Sequence, residues 1–118
     1  MSNKFLFLVV FGTLLLVISC SKDDDPVTTP CSALMPSYTA DIKPIISANC
    51  LSCHNGSQSE SGIDLSTYSG VKAMADAGRL LGALHHQNGF TPMPKDASQL
   101  SSDKLQLFDC WVQNGAPR

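Results

Sequence analysis

Cys50-Leu51-Ser52-Cys53-His54 is the stretch on which the reading of this 118-residue chain turns. Two thiols three residues apart can lie on one side of a helical turn, with an imidazole at the next position. C-x-x-C-H is the spacing that attaches a c-type haem. The thiols add to the two vinyl groups of one haem, and the imidazole comes to lie under its iron. A shuffled chain of this composition would contain the pattern about 0.005 times, so chance is a poor account of it.

Three other uses of these residues compete. Zinc could take Cys50 and Cys53 with two of His54, His85 and His86, but no second pair at H-x₃₋₅-H or C-x₂-C spacing is present. A thioredoxin-like dithiol follows a β-strand at a helix start, and no βαβ pattern is visible. A disulfide between Cys50 and Cys53 would close a very tight loop.

A six-coordinate iron needs a ligand opposite His54. Thr91-Pro92-Met93-Pro94-Lys95 is the best candidate. The prolines fix φ and forbid a helix, giving a stiff loop that can present the Met93 sulfur. A thioether is a soft neutral ligand that raises the reduction potential. His85 or His86 is the rival and would lower the potential. Adjacent residues on a helix point about 100° apart, so only one of the two could face the iron. Met74 reads as core filler on a helical face, and Met35 lies in the segment before the domain.

Upstream, residues 1–4 are short and basic, and residues 5–18 are apolar apart from Gly12 and Thr13. This is the pattern of a secretory signal peptide, too short to span a bilayer. The run ends Leu16-Val17-Ile18-Ser19-Cys20, which resembles a bacterial lipobox and implies lipidation of Cys20. The expected organisation is therefore a signal peptide over 1–19, a lipidated cysteine and flexible acidic tether over 20–37, and one domain over 38–118. Ser21-Lys22-Asp23-Asp24-Asp25 resembles the acidic export signal of surface lipoproteins in some Gram-negative bacteria; it equally reads as a solvated linker. Either way the domain is expected outside the cytoplasm, on an outer-membrane anchor facing the periplasm or the cell surface, where disulfides persist.

Composition sets the outer limits. The 43% hydrophobic content is inflated by the first 18 residues, leaving material for one small domain with a thin core. Eight Lys and Arg against ten Asp and Glu argue against a nucleic-acid partner. Channels and large multi-cofactor enzymes are not expected at this length.

The remaining pattern is helical, with no strand alternation. Thr39 or Asp41 can cap a first helix running to about Cys50, with Ile42, Ile45 and Ile46 on one face and Pro44 in the first turn. Ser66 or Thr67 can cap a second, ended by Gly78. A third spans 79–87 with Leu80, Leu81 and Leu84 apolar. Residues 88–100 form the loop that carries Met93. In the last helix Leu100 and Leu105 can staple a Ser101 cap, with Leu105, Phe108 and Val112 on one face and Gly115 as the stop.

This order of features, together with Gly62-Ile63-Asp64-Leu65-Ser66-Thr67-Tyr68 and Trp111…Gly115-Ala116, resembles a small monohaem class I cytochrome c. It is similar in particular to the planctomycete-type cytochrome c domains, over about residues 38–118. The resemblance implies an all-α fold of about four helices around one covalent haem c. It implies thioether links at Cys50 and Cys53, His54 and Met93 as axial iron ligands, and electron transfer as the activity. N- and C-terminal helices cross in that family, so the two remaining cysteines, Cys31 and Cys110, are expected to meet in a disulfide. The alternative is two unpaired thiols. Arg79 or Lys95 could face a haem propionate or simply be solvated, and Trp111 reads as core.

The expected function is a membrane-anchored one-electron carrier serving redox partner proteins in the periplasm or membrane. With two strong axial ligands and no catalytic constellation, enzyme activity is not expected. Two other readings stay open: a haem-based sensor with a displaceable sixth ligand, and a zinc-stapled interaction module.

Overall fold

Ile42, Ile45 and Ile46 recur at helical spacing, and all three are buried. They anchor the first of four helices in the computed structural model, which describes residues 29–56, 59 and 62–118. The signal peptide, the lipobox with Cys20 and the acidic run lie outside the described residues. One wide helical turn, Tyr38–Ile42, leads into α1, Lys43–Asn49. Then come α2, Tyr68–Asp76; α3, Arg79–Leu84; and α4, Ser102–Gln113. Among the described residues there is no strand, and the fold is all-α.

The helix boundaries follow local chemistry, with some corrections. The first helical segment is capped by Ser37, not Thr39 or Asp41: the Ser37 hydroxyl accepts from the Ala40 amide at 3.2 Å. Asp41 works from inside the turn, where its carboxylate accepts from the Ser37 amide at 2.7 Å. Pro44 sits in the first turn of α1, where a missing N–H costs least. Thr67 caps α2 through the Gly70 amide at 3.1 Å. Gly78 has φ +70°, a conformation open to glycine, and separates α2 from α3. The third helix ends at Leu84, short of the expected 87, because His86 turns to φ +53° and leaves the helical path.

On α4 the buried stripe is Phe108 and Trp111, both fully enclosed, whereas Leu105 and Val112 only flank it. The expected stripe of Leu105, Phe108 and Val112 is thus rotated toward Trp111. A large indole can be buried there because its Nε1–H donates to the Pro117 carbonyl at 2.7 Å. Phe108, Trp111, Ile42, Ile46 and Val71 form the fully enclosed core, each contributing roughly 1.5–3 kcal/mol by burial. The chain end is sewn beneath it. The Pro117 carbonyl also accepts from the Tyr38 amide at 3.0 Å, and the Ala116 carbonyl accepts from the Tyr68 hydroxyl at 2.9 Å.

The folded unit reaches back past residue 38, into the expected tether. Cys31 and Cys110 form a disulfide across 79 positions. Gln106 Nε2 donates to the Thr29 carbonyl at 2.6 Å, and Asn114 Nδ2 donates to the carbonyls of Cys31 and Leu34 at 3.3 and 3.2 Å. Residues 29–37 have no periodic apolar face to betray this. They are held by their backbone carbonyls and one sulfur, which leave no trace in hydropathy.

Candidate haem site

The C-x-x-C-H motif continues the path of α1. The Cys50 amide donates to the Ile46 carbonyl at 2.9 Å, and the Cys50 carbonyl accepts from the amides of Cys53 and His54 at 3.2 and 2.9 Å. These turns bring Cys50, Cys53 and His54 to the wall of one cavity of about 680 Å³. That volume falls within the roughly 300–1,000 Å³ of small-molecule and cofactor sites. Met93, 39 residues beyond His54, lines the same cavity. Both motif thiols are free, so the tight Cys50–Cys53 disulfide does not form.

His54 is oriented from behind. Its Nδ1 lies 3.2 Å from the Ile63 carbonyl, an acceptor that places the proton on Nδ1 and leaves the Nε2 lone pair available to a ligand. The Leu65 amide donates to the His54 carbonyl at 2.9 Å. Asp64, between these two residues, ties the loop shut. Its Oδ1 accepts from the Gly56 amide at 2.9 Å, the Ser66 amide at 2.8 Å and the Ser66 hydroxyl at 2.6 Å. Gly70 lets the strap lie against α2, since a Cβ there would run into the Asp64 carbonyl.

Hydrogen bonds from Ser66 and Gly56 hold the Asp64 carboxyl below its ordinary value. The folded state thus favours the charged form. The stability this provides is fully present above the unfolded value of about 3.9 and is lost as pH falls through the lower folded value. Asp64→Asn should lower the melting temperature at neutral pH and flatten its decline below about pH 4. Thermal melts of both proteins from pH 7 downward test this; parallel curves would remove Asp64 from the acid response.

The Met93 loop is fastened to the end of α3. The Met93 amide donates to the Ala83 carbonyl at 3.0 Å, and Gln99 Nε2 donates to the Leu84 carbonyl at 2.8 Å. The Ala83 carbonyl also accepts from the His86 amide at 3.2 Å, so it serves both the helix end and the loop. Gly82 gives the loop room: a Cβ there would sit 2.7 Å from the Phe90 ring, which forms another part of the cavity wall.

The two other histidines do not line the cavity. His85 Nε2 lies 2.7 Å from Asp109 Oδ1 on α4, and His86 Nε2 lies 3.1 Å from the Met93 carbonyl. The geometry therefore disfavours bis-histidine ligation. Met74 packs against the core as expected and also lines the cavity. Arg79 and Lys95 also line it, with no acidic side chain among the described lining residues.

The donor set suits a haem: two thiols, an imidazole and a thioether around an apolar space bounded by Ile63, Leu65, Leu80, Leu84 and Phe90. It suits the rivals less well. Zinc would need a fourth ligand, and His85 and His86 are engaged by Asp109 and the Met93 carbonyl instead. Burial pushes the Cys50 thiol up to about 11, the reverse of what a reactive dithiol needs.

Sequence reasoning missed Asp64 as a clamp, Gln99 as a tie and the Gly82–Phe90 contact. A glycine inside an otherwise apolar helix was the available signal for the last. No family model, no curated protein and no solved structure matches the chain.

Proposed function

We propose that this chain is a small class I, monohaem c-type cytochrome that carries single electrons. The observation that supports it most is that both thiols and the imidazole of C-x-x-C-H share one cavity with Met93. Haem, when bound, supplies the one-electron Fe(III)/Fe(II) couple. The protein's part is to hold and tune it. Cys50 and Cys53 would fix it covalently. His54, oriented by the Ile63 carbonyl, and Met93, tied to α3, would hold its iron. Apolar walls keep water away, and Arg79 and Lys95 offer positive charge to the propionates. On the same reading Cys20 carries the lipid that anchors the domain to the outer membrane, within reach of redox partner proteins. Two strong ligands leave no position for a substrate, so the role is transfer and not catalysis.

A haem stain on a denaturing gel tests this directly, using protein exported with a c-type maturation system. The expected result is a stained band at the protein's mass that is absent from Cys50→Ala/Cys53→Ala. No band from correctly exported protein would overturn the reading.

A further inference from the structure

His85 and His86 are adjacent, yet they do different things. His85 is committed to Asp109 on α4. His86 follows at φ +53°, which swings its ring away from the α3 path and toward the Met93 loop. There its Nε2 lies 3.1 Å from the Met93 carbonyl. A carbonyl only accepts, so Nε2 carries the proton in this contact. The Met93 amide is already bound to the Ala83 carbonyl at 3.0 Å. Both backbone polar groups of Met93 are thus held by the last turn of α3 and the second residue beyond it.

We propose that His86 is a positioning residue for the sixth iron ligand. Its donation to the Met93 carbonyl keeps the thioether-bearing residue at the cavity wall and resists displacement of the sulfur by competing ligands. This rests on the reading of Met93 as ligand. It assigns to an exposed histidine outside the cavity a role in setting how tightly the iron stays closed.

The physical argument is one of pre-organisation. Without this bond Met93 would lose one of the two backbone hydrogen bonds that hold it, and the residue bearing the sulfur would be freer to leave. Ordering lost on one side of a ligand exchange shifts that exchange toward the competitor. The contact faces solvent, so its net effect lies at the low end for one hydrogen bond, about a two- to fivefold change in equilibrium.

The test is imidazole titration of the oxidised, haem-loaded protein, in which imidazole competes with the sulfur. His86→Asn keeps a residue type tolerant of positive φ, but its amide is too short to reach the carbonyl. His86→Gln restores a donor at about the distance of Nε2. Apparent imidazole affinity should rise about two- to fivefold in His86→Asn and return toward wild type in His86→Gln. A purely structural effect would change the melting temperature of both variants and give no such rescue. The methionine–iron charge-transfer band reports separately on the underlying reading. If wild type shows the band and Met93→Ala loses it, but His86→Asn binds imidazole as wild type does, the role of His86 is overturned and the Met93 reading stands. If wild type lacks the band, both are overturned.

Discussion

Met93→Ala should lower the reduction potential by on the order of 0.1 V or more, within the roughly 0.8 V range over which axial ligands set haem potentials. If Met93 is the sixth ligand, its loss removes a neutral thioether that favours reduced iron. The iron should then bind carbon monoxide in the reduced, folded protein, whereas wild type should not. Voltammetry and a carbon monoxide difference spectrum measure the two effects. An unchanged potential would move the sixth ligand elsewhere. Neither remaining histidine is well placed to substitute, since His85 is paired with Asp109 and His86 with the Met93 carbonyl. Carbon monoxide binding by native wild type would instead favour the sensor reading, in which the sixth position opens on demand.

The second large effect concerns the covalent staple. Cys31→Ala/Cys110→Ala removes a link across 79 positions, worth ~4.5 kcal/mol in the chain-entropy model. A domain of this size loses roughly 4–8 °C per kcal/mol, so the melting temperature should fall by about 20 °C or more. Circular dichroism of the haem-loaded variant reads this, and the reduced wild type provides a second case without the cavity left by the missing sulfurs. A fall of only a degree or two would show that the bonds from Gln106 and Asn114 hold the segment without the bridge. The expectation is large because the core is thin: few side chains beyond Phe108, Trp111, Ile42, Ile46 and Val71 are fully enclosed. A small domain with so few anchors depends on cross-links to a degree that a larger one does not.

The residues that line the cavity were partly legible in the sequence. Cys50, Cys53 and His54 form a local pattern, and a turn of helix suffices to bring them to one wall. Met93 could be picked from the other methionines because its flanking prolines exclude a helix. The caps at Thr67 and the glycine stops at 78 and 115 follow from backbone preferences that each residue carries with it. The cap at Ser37 was harder to read, because Thr39 and Asp41 are equally good capping types two and four positions on, and only the direction of entry chooses among them.

What the amino-acid order determined alone is the helical character of the chain and the turn that gathers Cys50, Cys53 and His54, since both rest on interactions within a few residues. Tertiary structure decided how the cavity side chains are arranged and held. Only the folded chain separates His85 from His86 by their partners, adds a cavity-wall face to the core-packed Met74 and carries the domain back to Thr29. It also turns α4 so that Trp111 meets the Pro117 carbonyl. Each of these depends on groups far apart in sequence whose polar atoms must find partners once water is excluded, and that requirement acts only when the helices have packed.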